Sequence, residues 1–148
     1  MRCVPAAVLL VALLTPALAA CGGSDRDSYC DAVHDHQTKL TDIVSSTDPA
    51  ALLQARDILT DLQDRAPSDI TQQWKVLVDA IDGLRDALDA AGVDPGTYDR
   101  AHPPAGVTAE QRQAIDEAST RLASPDVAGA LEAVDQEVRD VCHTPLTL

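Results

Sequence analysis

His34-Asp35-His36, with Asp31 one turn earlier, is the densest group of metal-ligating side chains in the sequence. Residues two apart on a helix face different ways, so His34 and His36 are a poor pair; helical metal pairs use spacings of three or four. Asp31, His34 and Asp35 do meet that spacing and could hold a divalent ion. A second candidate is acidic: Asp57, Asp61 and Asp64 form one row, and Asp79, Asp82, Asp86 and Asp89 another. Oxygen ligands suit calcium or magnesium, but no EF-hand spacing occurs and Arg56, Arg65 and Arg85 are interleaved. Both groups read as solvated helix faces. Trp74 has only Tyr29 and Tyr98 for aromatic company, too few for a stacking platform. No Gly-x-Ser-x-Gly nucleophile motif is present. His102 and His143 stand alone, and a single Met argues against a copper carrier. We expect no catalytic residue, no cofactor and no metal.

The four cysteines carry more information. Met1-Arg2 supplies a positive end, Val4 to Leu14 is a short apolar run, and Ala17-Leu18-Ala19-Ala20 follows. This is the pattern of a secretory signal peptide, and the run is shorter than the ~20 residues of a spanning helix. Leu18-Ala19-Ala20-Cys21 resembles the bacterial lipobox. That motif implies cleavage before Cys21 and a diacylglyceryl thioether on its sulfur, with palmitate as the expected acyl group. Small residues at 19 and 20 suit the peptidase cleft, and only a thiol can form the thioether. Ordinary secretion is the competing reading, because Ala17-Leu18-Ala19 also fits the small-x-small signal. Two or more acyl chains hold a protein on a membrane stably where one does not, at ~0.8 kcal/mol per buried CH2. The expected organisation is a signal peptide at 1–20, lipidated Cys21 with a flexible Gly-Gly-Ser tether to 24, and one domain from 25 to 148.

Removal of residues 1–20 takes away Arg2. The 11 basic residues become 10 against 24 acidic ones, and the net charge of -13 becomes -14. One domain of roughly 130 residues buries about two thirds of its unfolded surface. Such acidity disfavours nucleic acid, which needs a basic footprint, and broad contact with anionic headgroups. It favours solubility and mutual repulsion at the cell surface. The excess of Asp over Glu and Arg over Lys, with abundant Ala and no Phe, is typical of GC-rich genomes.

The elements that must position these residues read as helices. Cys30, Val33, Gln37, Leu40 and Val44, with Ile43 beside them, recur at helical spacing between Asp25 and Val44. Asp48-Pro49 reads as an N-cap with proline in the first turn. Leu52, Ala55, Leu59, Leu62 and Ala66 follow on one face. After Ser68-Asp69, Ile70, Trp74, Leu77, Ile81, Leu84, Leu88 and Ala91 alternate steps of four and three, a seam of about three heptads. Gly92 ends it as a C′ residue. Residues 93–107 form a loop containing Asp94-Pro95-Gly96 and His102-Pro103-Pro104. Thr108 with Gln111 makes a capping box. Ile115, Ala118 and Leu122 line a helix over 109–123. Ser124-Pro125 then starts a last helix with Val127, Leu131, Val134, Val138 and Val141. No segment alternates as a strand does. The expected fold is all-α, a four- to five-helix up-down bundle.

Cys3 leaves with the signal peptide and Cys21 is lipidated, so Cys30 and Cys142 remain in an oxidising compartment. One pair allows one connectivity. Their disulfide closes a loop of about 113 residues, worth roughly 4–5 kcal/mol by chain entropy. The two lie in no Cys-x-x-Cys arrangement, which argues against redox or metal chemistry. Helices ending near 45, 65 and 91 pass up, down and up, so the last helix must end where the first begins. Either the 92–108 loop runs back along the bundle, or helix 109–123 lies across it. Seventeen extended residues reach ~55 Å, and the third helix is only ~35 Å long.

Tyr29-Cys30-Asp31-Ala32 after a lipobox, Asp48-Pro49-Ala50, Ala66-Pro67, Gln73-Trp74-Lys75-Val76-Leu77 and a terminal Cys142 together resemble small actinobacterial lipoproteins. These are Tyr-Cys…Cys helical proteins without an assigned activity. The resemblance covers most of the mature chain. It implies an exported helical fold and brings no catalytic residue with it. The expected role is that of a non-catalytic lipoprotein on the extracytoplasmic face of the cell membrane, acting through a protein partner in the envelope. The alternative is a small-ligand or metal-ion carrier with a cavity between helices. The pole with the Ser45–Thr47 turn and Gly92 is the expected contact surface.

Overall fold

The structure, a computed structural model, describes residues 23–48 and 50–148. The expectations for the signal peptide, for Cys21 and for Pro49 fall outside these residues. Six helices follow in order: α1 (Gly23–Val44), α2 (Ala51–Gln54), α3 (Arg56–Arg65), α4 (Thr71–Ala91), α5 (Ala109–Leu122) and α6 (Pro125–Cys142). No strand occurs among the described residues. The all-α expectation holds, and none of the described helices is long and apolar enough to cross a membrane.

Several boundaries differ from expectation. The backbone of Gly23 and Ser24, expected as tether, is already helical, with Asp25 in the first turn, where a carboxylate favours the positive helix end. Asp48 is not the N-cap of α2; Ala50 is. The Asp48 carboxylate still accepts from the Ala50 N–H at 2.8 Å and from Gln54 Nε2 at 3.1 Å. The expected second helix breaks at Ala55, whose N–H turns to Leu52 O three residues back. That 3₁₀ step separates α2, which touches α1 and α4, from α3. The helix count therefore rises above the four to five expected. Ser68-Asp69 forms a turn, and α4 starts only at Thr71.

The start and stop signals of the second half are used as expected. Thr108 and Gln111 close a capping box on α5. Ser124 caps α6, with Pro125 at its first position. Gly92 ends α4 with φ 65°, the left-handed region that glycine adopts freely. His143 takes the same region, φ 57°, after α6.

α1 packs on α3 and α6, and α4 on α3 and α6, so these four surround one core. Trp74, Tyr29, Leu62, Val33, Val134 and Val138 are fully buried in it. Burying one such aliphatic side chain is worth about 1.5–3 kcal/mol. Trp74 Nε1 donates to the Tyr29 hydroxyl at 3.1 Å. The two rings meet edge to face, centroids 6.4 Å apart. Burial pushes the Tyr29 phenol up to about 12; the Trp74 hydrogen bond opposes this and the Glu137 charge adds to it.

Cys30 and Cys142 are disulfide-bonded, with Cα atoms 5.2 Å apart. Gln111 Nε2 donates to Ala90 O at 2.9 Å, so α5 starts beside the end of α4. Leu122, at its other end, packs on the central core, whose last α4 member is Ile81. α5 thus runs back along α4, its main helical neighbour. After the Ser124-Pro125 step α6 continues toward Cys142 in the same sense. Both helices pack on α4, and the Ser124-Pro125 step joins them. The 93–107 loop stays at the far pole. Asp94 Oδ1 and Asp99 Oδ1 accept from Gly96 N and Ala101 N. A Cβ at Gly96 would lie 3.9 Å from Ala50 Cβ, which places the loop beside the chain entering α2.

Candidate functional site

Three apolar residues that helical spacing assigns to the core are exposed instead: Val44 at 70%, Leu52 at 42% and Leu131 at 49%. They come from α1, α2 and α6, yet they border one groove of about 340 Å³. Its α1 wall is Leu40, Ile43 and Val44. Leu52, Ala55 and Leu59 lie opposite, and Leu131, Glu132 and Asp135 line the α6 side. α1 and α6 are joined at the disulfide and leave this opening further along.

The near end of the opening is filled by the last five residues, to which the sequence reading gave no role. Gln37, buried in α1, donates to Thr144 Oγ1 at 2.9 Å and to Pro145 O at 2.6 Å. The Leu146 N–H donates to Asp135 Oδ1 at 3.1 Å, and the Leu148 N–H to Thr41 Oγ1 at 2.8 Å. Leu146 is buried in the core. The tail is thus a strap between α1 and α6, advancing along α1 from Gln37 to Thr41. Beyond it the groove continues past Ile43 and Val44. The only hint in the sequence was the pair Leu146 and Leu148 after Pro145.

Burial pulls Asp135 upward, but the Leu146 N–H and Arg139 outweigh it and hold its carboxyl below the usual carboxylate range. Arg139 Nε sits 2.8 Å from Asp135 Oδ2. Among the described residues Glu132 belongs to no salt bridge, so the rim carries one uncompensated negative charge.

The histidine–aspartate candidate is not assembled. His34, Asp31 and Asp35 are all exposed. His36 turns to α3, its Nε2 3.0 Å from Asp61 Oδ2. Asp61 also accepts from Arg65 Nε at 3.0 Å. Its carboxyl is held below its ordinary value, chiefly by the His36 hydrogen bond. No group of three or more His, Cys, Asp or Glu suited to a metal occurs among the described residues. The acidic rows are paired in part: Arg56 with Asp82 and Asp57, Lys75 with Asp79. A larger depression of about 550 Å³ along α5 is open and lined by Ala109 and the stems of Arg112, Gln113, Asp116, Glu117 and Thr120. His102 binds Asp99 in the far loop at 2.8 Å, and His143 is exposed beside the disulfide.

No protein-family model, curated protein or solved structure matches this chain. The site offers an open apolar groove, a rim carboxylate, Glu132, in no salt bridge among the described residues, and a peptide strap at its end.

Proposed function

We propose that this chain is an extracytoplasmic lipoprotein, cleaved before Cys21 and anchored by lipid on that cysteine, which acts through protein contacts and performs no catalysis. The observation that carries the reading is the groove. Apolar side chains from three helices are left exposed on one surface, the usual mark of an interaction site. The interior elsewhere is filled by Leu, Val, Ile and Trp. A small-ligand carrier is the weaker alternative, because the groove is open and lacks the convergent polar groups that fix a ligand. The Cys30–Cys142 pole then sits near the tether, and Val44, Leu52 and the 93–107 loop face away from the membrane.

Two experiments test this. Cys21→Ser should move the protein from the membrane to the soluble fraction; continued membrane fractionation counts against the anchor. Crosslinking in intact cells, read by mass spectrometry, should recover a protein neighbour through groove residues. Recovery of none above background would sink the contact reading.

A further inference from the structure

We infer that the groove receives a cationic peptide segment of a partner protein, with a leucine-type side chain entering between α1 and α6. This deepens the contact reading proposed above and rests on it. Three observations select the occupant.

The first is what already fills the cleft. Its near end holds a peptide segment, the strap, bent at Thr144 and Leu146, with Leu146 inserted and its backbone N–H taken by Asp135. The walls continue in the same materials past Thr147: Ile43 and Val44 on one side, Leu131 and Glu132 on the other. A partner's peptide segment laid along this stretch meets the same two helices.

The second is size. A stable complex of folded partners takes roughly 800 Å² and some 20–30 residues from each side, whereas this groove is bordered by only three exposed apolar side chains, Val44, Leu52 and Leu131. A second copy is further disfavoured by the charge of each chain, -13 before any cleavage. The lipid expected on Cys21 is remote, since 17 helical residues separate Gly23 from Leu40, a rise of ~26 Å.

The third is charge. Arg139 is engaged by Asp135, and exposed Glu132 belongs to no salt bridge among the described residues, so the rim is net negative. A cation meets Glu132 locally and is drawn in by the acidic domain at longer range. A bare acyl chain would satisfy neither.

The probe is a fluorescent six-residue peptide of alternating Lys and Leu, titrated into the mature chain, residues 21–148, carrying Cys21→Ser. Saturable binding is expected. It should weaken at least tenfold in Leu131→Ser and Leu52→Ser, and tenfold again when Leu in the peptide is replaced by Ser or Lys by Asp. Glu132→Lys provides a variant with no loss of apolar surface; it should weaken the Lys-Leu peptide and favour the Asp-Leu one. Equal binding by Leu131→Ser overturns the proposal, since the peptide is then held by charge alone. Absence of saturable binding overturns it too, as does palmitate binding that Leu131→Ser abolishes while the peptide fails to bind. If crosslinking in cells still finds a neighbour elsewhere on the surface, the contact reading survives that failure; if it finds none, both fall.

Discussion

Tyr29 and Trp74 form the polar contact at the centre of the core, and each carries a measurable consequence. Trp74→Phe removes the indole N–H donor from the Tyr29 hydroxyl and should cost about 1–3 kcal/mol in denaturant unfolding, as expected when a buried polar group loses its partner. Because the folded Tyr29 phenol is raised to about 12, its stabilisation is intact below its unfolded value of about 10. It is lost progressively as pH rises from there toward 12. Tyr29→Phe should flatten that alkaline limb. Asp61 and Asp135 work in the opposite direction. Their folded values are depressed, so their contributions are present above about pH 4 and disappear as pH falls through the folded values. His143 is a non-glycine residue at φ 57°, a region costing L-residues about 1–2 kcal/mol. His143→Gly should therefore raise Tm, by a stabilisation of about 1 kcal/mol; an unchanged or lower Tm contradicts this.

At the scale of elements, helical periodicity located the helices but misjudged which side chains each could bury. Val44, Leu52 and Leu131 satisfy the periodic pattern and are exposed because α1 and α6 leave a gap there. The reverse happened at Tyr29, which helical spacing did not assign to the core and which is fully buried. Leu131→Ser should change stability by no more than about 0.5 kcal/mol, as surface substitutions do, while affecting binding; a loss of 2 kcal/mol or more would show that the groove is part of the core. Asp135→Ala should cost about 1–3 kcal/mol by removing the charged acceptor of the strap. Hydrogen exchange at the Leu146 amide should accelerate with it.

At the scale of the whole molecule, the Cys30–Cys142 bond ties the start of the first helix to the end of the last across a sequence separation of 112. Reduction, or paired replacement of both cysteines by Ala, should lower unfolding free energy by roughly 4–5 kcal/mol on the chain-entropy account. The helices should persist near neutral pH only if the remaining core exceeds the conformational cost, which far-UV circular dichroism under reducing conditions reads directly.

Composition and spacing were enough for the all-α class, the capping box at Thr108, the Ser124-Pro125 start, the Gly92 stop and the Cys30–Cys142 disulfide. Each of these depends on local backbone chemistry or on simple elimination among the cysteines, so a one-dimensional reading can reach it. The break at Ala55, the packing of both α5 and α6 on α4, the docking of the tail on Gln37, Thr41 and Asp135, and the groove beyond it depend on how separate helices meet. Periodicity names the face a helix prefers to bury; it does not say whether a neighbour arrives to cover it. At Val44, Leu52 and Leu131 no described element does, and only the tertiary structure could decide that.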